Sequence, residues 1–189
     1  MTGADLALYI QIPVFVNQKG PALELQETPE VIKRDEQWSV IIPVEASLNE
    51  WDKTIQAIPA LISEVQNQGI QPASPLFYRY RRMGDQHAPF ALEIGFALED
   101  KTHVEGELLL SAMEPGTYVT YLHRGHPDQL FEVDPLIREW ATGEGIEFSV
   151  TDENGYEAWT GRYEFFLTNP DDEPDPNNWE IKLAWLTTG

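Results

Sequence analysis

The chain of 189 residues contains no cysteine, which excludes disulfide bonds, thiolate metal sites and a cysteine nucleophile. Basic residues are few as well: 12 lysines and arginines stand against 32 aspartates and glutamates, and the net charge is −20. A field of this sign repels phosphate backbones and anionic membrane surfaces, so we expect no direct nucleic-acid binding. The same field favours cationic ligands or basic protein partners, although excess acid also serves solubility alone.

Long apolar runs and targeting signals are lacking too. No stretch approaches the roughly 18 apolar residues of a membrane-spanning helix, and residues 1–5 lack the basic character that opens a secretory signal. We therefore expect a cytoplasmic protein that does not enter a membrane. A chain of this length can bury roughly 70% of its unfolded surface, which is enough for one domain without covalent cross-links.

Several catalytic and metal-binding signatures are missing. The sequence has no glycine-rich phosphate loop, no His-Glu-x-x-His zinc pair and no Gly-x-Ser-x-Gly nucleophile elbow. His123 and His126 lie three residues apart but flank Gly125, and the acidic run 171–175 lacks the ligand spacing of a calcium loop. We predict no metal site and no cofactor.

Two amphipathic segments predict helices. Ser47 and Glu50 have the spacing of a capping box, and apolar residues then recur every three or four positions until Gly69, a helix-stop residue. A second helix is predicted over 127–142, ended by one of the two glycines that follow. A proline inside each segment predicts a bend or a restart at that point.

Period-two alternation in segments rich in aromatic and β-branched residues predicts the strands. They lie at 37–44, 76–83, 90–97, 107–110 running on to 118–123, 159–167 and 180–186. The stretch 152–155, Asp-Glu-Asn-Gly, has the composition of a tight turn. An apolar stretch at 8–12 predicts an extra strand outside this series.

The order of predicted elements is the same in both halves of the chain: strand, helix, strand, strand. We therefore predict an α+β fold built from a duplicated β-α-β-β module, with two helices on one side of a largely antiparallel sheet and a central ligand groove. The chain would form a single domain, with residues 1–22 as an extension or extra strand, 23–100 as the first module and 101–189 as the second. Clefts between such halves are preferred ligand sites.

An acid interrupts the aromatic segment Tyr163-Glu164-Phe165-Phe166. Alternation along a strand sends Glu164 and Phe166 to one face and the other two residues to the opposite face. A carboxylate buried against rings without a partner is destabilising or acquires a raised pKa, and a cationic ligand would supply the missing charge. The alternatives are that Glu164 faces water at a sheet edge or pairs with an arginine, the candidates being Arg162, Arg79 and Arg81.

A combination of motifs runs through most of the chain. It comprises 75–80 (Pro-Leu-Phe-Tyr-Arg-Tyr), 113–118 (Met-Glu-Pro-Gly-Thr-Tyr) with 123–125 (His-Arg-Gly), 136–140 (Leu-Ile-Arg-Glu-Trp), and 163–166 followed by Asn-Pro at 169–170. In order and spacing these stretches resemble the GyrI-like small-molecule-binding domains, the effector-binding domains of AraC-type and MerR-type regulators. The likeness covers roughly residues 23–186. It departs from the family after Gly125, where His126 replaces the usual aromatic residue.

The resemblance implies modules of the SHS2 type and a ligand groove with Glu164 at its centre and Phe166 beside it. It also implies aromatic walls, for which the candidates are Tyr80, Tyr121 and Trp140, with Trp38, Trp179 and Trp185 as additional candidates. Each of these rings would also fit an ordinary core position. In a pocket, aromatic faces would add cation–π attraction of roughly 0.5–2 kcal/mol per contact.

For function, the resemblance implies a domain that binds or senses small hydrophobic, often cationic, organic compounds, as multidrug-binding members do. No helix-turn-helix precedes the matching region, so we expect a stand-alone member that acts on transcription through a separate regulator. Two alternatives stay open. Some members resemble hydrolases of reactive small molecules, in which Glu164 would be the general base for water. The other is a role like that of the gyrase inhibitors, with the acidic surface facing DNA gyrase.

Overall fold

The computed structural model describes residues 24–84 and 88–189. The two α-helices of this part are α1 (Trp51–Asn67) and α2 (Leu130–Gly143). Its strands are β1 (Glu30–Arg34), β2 (Gln37–Ala46), β3 (Phe77–Met83), β4 (Phe90–Ala97), β5 (Leu109–Met113), β6 (Gly116–Arg124), β7 (Val150–Glu153), β8 (Tyr156–Trp159), β9 (Arg162–Phe166) and β10 (Glu180–Leu186). The strand predicted at 8–12 lies outside the described residues.

Every strand predicted within these residues is present, and two of the predicted segments each overlap two strands of the structure. The prediction of 107–110 running on to 118–123 corresponds to β5 and β6, separated by a turn, and the predicted strand 159–167 contains β9 and only the last residue of β8. Two short strands were missed, β1 and β7, because most of their side chains are exposed and show no apolar alternation. The turn predicted at 152–155 joins β7 to β8, with Asn154 and Gly155 both at positive φ, as a tight hairpin requires.

The strands form one antiparallel sheet in the order β1-β6-β10-β9-β3-β4-β2-β5, with the β7–β8 hairpin attached to β3. Each half repeats one arrangement: β2, β4 and β3 run inward from one side, and β6, β10 and β9 run inward from the other. This symmetry confirms the predicted α+β fold with its duplicated β-α-β-β order. The innermost strands, β9 and β3, pair with each other and form the seam between the halves.

The sheet curls into a half-barrel. A two-residue turn, 114–115, joins β5 to β6, although these strands lie near opposite edges of the sheet. Across the inner face, Arg79 of β3 donates to the carbonyl of Ala112 on β5 at 2.7 Å. From the other edge, the Arg34 guanidinium lies 5.3 Å from the Phe165 ring centroid on β9. The inner face therefore packs as a small aromatic core, and the helices occupy the outer face.

Local sequence sets the helix ends as predicted. A 3₁₀ turn leads into α1, and the Ser47 N–H donates to Glu50 Oε2 at 3.4 Å in the predicted capping box. Gly69, at φ 65°, ends α1, and Gly145, at φ 71°, ends α2, because glycine adopts this left-handed conformation without steric cost. Both helices continue through their internal prolines. Within the described residues, neither helix combines the length and apolar character needed to cross a membrane.

Candidate functional site

Glu164 occupies the centre of the sheet. It lies on β9, opposite Tyr78 of β3 on one side and Leu183 of β10 on the other. Strand alternation turns Glu164 and Phe166 toward the helices, while their sequence neighbours pack into the inner core. The Glu164 side chain is only 9% exposed, so the alternative in which it faces water at a sheet edge does not hold.

The Glu164 carboxylate accepts a hydrogen bond from the Tyr80 hydroxyl, with 3.2 Å between Oη and Oε2. Burial raises the pKa of Glu164 from its ordinary 4.5 to about 7, against the lowering effects of Arg162 and of the Tyr80 hydrogen bond. Burial and the nearby carboxylate also raise the pKa of Tyr80 well above its usual value. Glu164 can therefore exchange a proton near neutral pH, whereas Tyr80 keeps its own.

Arg162 precedes Glu164 by two residues on the same strand face and is 8% exposed. Its guanidinium donates to Asp134 Oδ1 on α2 at 2.9 Å. It also lies against two rings, 5.2 Å from the Tyr80 centroid and 5.4 Å from the Trp159 centroid. Among the described residues, no ion pair within 4.0 Å joins Arg162 to Glu164. Arg162 is thus not the direct ion-pair partner of Glu164 that one alternative predicted. It lies beside the carboxylate and pairs with Asp134.

The charge network continues outward along α2. Asp134 Oδ2 accepts from Arg138 Nε at 2.7 Å, and Arg138 makes two hydrogen bonds to Glu157, at 3.0 and 2.8 Å. Together with Glu164 and Arg162, this row holds three carboxylates against two guanidinium groups. When all are ionised it carries one unbalanced negative charge, and the carboxylate at its inner end is Glu164.

Aromatic rings from β9, β3 and α1 lie on the same side of the sheet as this carboxylate. Phe166 meets Tyr78 edge-to-face with centroids 4.8 Å apart, and Trp51, at the start of α1, lies 6.1 Å from the same tyrosine. The buried Trp51 Nε1 has no hydrogen-bond partner in the described structure. An unpaired indole N–H beside the rings is a donor available to a bound molecule.

A cavity of about 520 Å³ opens next to Phe166, at the C-terminal end of α1. Its lining is uncharged and mainly apolar, and includes Ile62, Val65, Leu76, Phe96, Phe166 and Asn169. Glu164 does not line it. The Glu164 carboxylate therefore lies outside the apolar cavity. Phe166, on the same face of β9 as Glu164, lines the cavity.

Three further residues predicted to line the pocket belong to the hydrophobic core between the sheet and the helices. Tyr121, on β6, is buried and its hydroxyl accepts from the Gln26 N–H at 3.0 Å. Trp185, on β10, lies 6.1 Å from the ring of Phe148. Trp140 is half-buried on α2 against the same core. These contacts are those of core packing, and the role of these three residues in a pocket stays a prediction.

The two remaining tryptophans lie farther from the seam. Trp38 is on β2, and the ammonium of Lys101 sits 3.8 Å from its ring centroid. Trp179 precedes β10, and its indole donates to the Glu173 carbonyl at 2.8 Å. Of the predicted site residues, the structure thus gathers Glu164, Tyr80 and Phe166 at the seam.

Comparison with known proteins gives a fold and no sequence relative. No protein-family model matches the chain, and no curated protein matches its sequence. The C-terminal domain of EcmrR superimposes with a TM-score of 0.68 at 16% identity, over 86% of this chain and 98% of that domain. This chain has the fold of that domain. It spans 57% of the length of the EcmrR chain in a complex with DNA, with a TM-score of 0.67.

Two more solved structures share the fold. A hydrolase from Listeria innocua matches with a TM-score of 0.57 at 14% identity, over 87% of this chain and 94% of that one. SAV2435, solved bound to tetraphenylphosphonium, matches with a TM-score of 0.52 at 8% identity, over 86% and 95%. At such identities the likeness shows the fold, and the chemistry of the site rests on its own residues.

The site contains residues that were not predicted as part of it. Arg162 was considered only as a direct partner for Glu164, although period two already placed both side chains on one face. Asp134 and Trp159 carried no signal, because their proximity depends on how α2 and the β7–β8 hairpin approach the seam. Trp51 is one of the apolar residues that recur along α1, and nothing in the sequence marked its unpaired N–H.

Proposed function

We propose that this chain is a GyrI-like domain that binds lipophilic organic cations, with Glu164 as the counter-charge. One observation carries the proposal: a carboxylate lies at the centre of the sheet among aromatic rings, with a tyrosine hydroxyl as its hydrogen-bond donor, and within the described part of the chain no arginine forms an ion pair with it. Burying such a group without an opposite charge is unfavourable, and its raised pKa reflects that cost. A bound cation removes the cost because it supplies the charge directly.

The surroundings support an organic cation rather than a metal ion. The rings of Tyr78, Tyr80 and Phe166 would offer cation–π contacts, each worth roughly 0.5–2 kcal/mol according to desolvation. Beyond Phe166, the uncharged cavity of about 520 Å³ is within the range of small-molecule sites and suits the apolar part of the ligand. The unpaired Trp51 N–H adds a donor for ligands that carry an acceptor.

Structural neighbours support the same class of ligand. Tetraphenylphosphonium, the compound bound to SAV2435, is a lipophilic cation with four phenyl rings. The match over 98% of the EcmrR C-terminal domain supports a domain that communicates with a transcription regulator. A cytoplasmic location and the wall roles of Tyr121, Trp140, Trp38 and Trp185 remain part of the proposal.

The test compares a cation with a neutral compound on matched proteins. Calorimetric titration with tetraphenylphosphonium and with triphenylphosphine oxide is done on wild type, Glu164→Gln and, as control, Glu45→Gln on the exposed side of β2. We expect Glu164→Gln to weaken the cation at least tenfold while the neutral compound binds as before, and Glu45→Gln to change neither. Equal weakening of both compounds, or no binding of the cation to wild type, contradicts the proposal.

Hydrolysis of a reactive small molecule is the second candidate, favoured by the pKa of about 7 at Glu164. A carboxylate with that pKa accepts a proton from water more readily than an ordinary glutamate, and the Tyr80 hydroxyl beside it would hold the carboxylate in place by its hydrogen bond. The Listeria innocua hydrolase shows that the fold occurs among hydrolases. Incubation with styrene oxide decides: consumption by wild type that Glu164→Gln abolishes, with binding retained, would make the chain an enzyme. If the chain instead acts as a gyrase inhibitor, Glu164→Gln should leave its inhibition of DNA gyrase unchanged.

A further inference from the structure

A cation already resides beside Glu164, and the proposed function has to account for it. Arg162 lies two positions away on the same face of β9, a separation of roughly 6.6–6.8 Å along a strand. A guanidinium on a flexible side chain can cover that distance, so Arg162 is able to form an ion pair with Glu164. In the structure it points elsewhere, and no ion pair within 4.0 Å links these two described residues.

The groups that contact the Arg162 guanidinium come from α2, β3 and β8, and the only carboxylate among those described is Asp134 of α2. Asp134 accepts from its guanidinium at 2.9 Å and is itself held by Arg138 at 2.7 Å. The rings of Tyr80 and Trp159 lie 5.2 and 5.4 Å from the guanidinium carbon. The attraction between a ring and a cation does not fix the direction of the guanidinium N–H groups. The hydrogen bond to the Asp134 carboxylate does fix that direction.

We infer that Asp134 is a specificity-determining positioning residue: by holding Arg162 away from Glu164, it keeps the central carboxylate available to a cationic ligand. The inference rests on the proposed function and deepens it, because it names what sets the preference for cations. Asp134 would act through Arg162 without touching the ligand. A neutral side chain at 134 leaves the buried Arg162 without its carboxylate partner, and Glu164 is the carboxylate on the same face of the same strand.

Two charge patterns follow from this arrangement. With Asp134 in place, the site offers the ligand one carboxylate and an arginine whose charge is already balanced. With an asparagine at 134, Arg162 pairs with Glu164, so an entering cation must break a buried ion pair and leave a guanidinium uncompensated. The cation is then selected against, while a neutral ligand of similar shape meets the same rings.

The experiment measures affinity for tetraphenylphosphonium and triphenylphosphine oxide with four proteins: wild type, Asp134→Asn, Arg162→Met and the double variant. We expect Asp134→Asn to weaken the cation at least tenfold and leave the neutral compound unchanged. In the Arg162→Met background the same change should cost less than threefold. Arg162→Met alone should bind the cation several-fold more tightly than wild type.

Controls separate positioning from simple support of α2. Glu157→Gln breaks the outer ion pair with Arg138 but leaves Asp134 on Arg162, so we expect it to keep the wild-type preference. Asp134→Glu retains the charge and should restore most of the cation affinity. Equal loss of both compounds in Asp134→Asn, or the same cation loss with and without Arg162, overturns the inference.

A second measurement needs no ligand. Titration of the Glu164 carboxyl carbon by NMR in the same four proteins should show a lower pKa in Asp134→Asn than in wild type, because Arg162 then stabilises the ionised carboxylate. In the Arg162→Met background, Asp134→Asn should lower the pKa far less. An equal effect in both backgrounds refutes the role of Asp134 even if wild type binds no cation, which would refute the proposed function separately.

Discussion

The Tyr80 hydroxyl donates to Glu164 across the seam of the sheet, from the innermost strand of one half to the innermost strand of the other. The face of the same phenol ring lies against Arg162. One tyrosine therefore contacts both charged groups of the candidate site, by its oxygen and by its ring. The two charged groups that Tyr80 contacts therefore lie at the junction of the two modules.

Tyr80→Phe should separate these two contacts, because it removes the hydroxyl and keeps the ring. The hydrogen bond lowers the pKa of Glu164, so its loss should raise that pKa above the present value of about 7. A buried hydrogen bond contributes about 1 kcal/mol, and we expect a loss of that size in urea unfolding at pH 8. Tyr121→Phe is the control: its hydroxyl bonds to Gln26, so the Glu164 pKa, followed by NMR, should not move.

Glu164 should make the protein less stable as pH rises. Its pKa is about 7 in the folded state against 4.5 ordinarily, so between these values the folded state binds more protons than the unfolded state. Stability is then lost as pH increases from 4.5 to 7, by about 3 kcal/mol if the whole shift is realised. Urea unfolding of wild type and Glu164→Gln across pH 5–8 isolates the effect. A difference between the two proteins that does not change with pH would contradict the raised pKa.

Cation binding should depend on pH through the same group. The ligand requires ionised Glu164, so below pH about 7 each bound cation must displace a proton. Affinity for tetraphenylphosphonium should fall nearly tenfold per pH unit below that point and level off above pH 8. Calorimetry in buffers of different ionisation enthalpy should show proton release at pH 6, and triphenylphosphine oxide should show neither effect.

Much of the fold follows from local sequence. Ser47, Glu50 and Gly69 bound a helix by capping chemistry that acts within a few residues, and β4 and β10 match their predicted limits because their apolar alternation is strong. β1 was missed because it has no such apolar alternation. It is a short edge strand, mostly solvent-exposed, and its pairing with β6 depends on the curl of the whole sheet.

Some residues of the candidate site could likewise be predicted from local sequence, and others could not. Glu164 and Phe166 could be predicted because both lie on one strand, where period two fixes which residues share a face. The position of Asp134 could not, since it requires α2 to approach β9, and α2 was predicted to bend or restart at that residue's proline neighbour. Tyr80 was implied by family resemblance, while its bond to Glu164 depends on the register of β3 with β9.

A last prediction concerns the inner face, where Arg79 is 0% exposed and has a different task from Arg162. Its guanidinium donates to five groups on two strands and two turns: Glu93 at 3.4 Å, Ser111 at 3.3 Å, Ala112 O at 2.7 Å, Glu114 at 2.9 Å and Thr160 O at 2.7 Å. Arg79→Met removes this buried charge and all five of its hydrogen bonds, and we expect the free energy of unfolding to fall by about 3–5 kcal/mol.

Arg81 on the same strand provides the matched control. It also meets Glu93 and Glu114, at 3.2 and 4.0 Å, but its side chain is 41% exposed. Water screens and replaces its contacts, so Arg81→Met should cost less than about 1 kcal/mol in the same urea titration. Similar losses for the two variants would mean that the half-barrel does not depend on the buried guanidinium. A large loss for Arg79 alone would show that the curl, which brings β5 over the centre of the sheet, is fastened from the inside by charge.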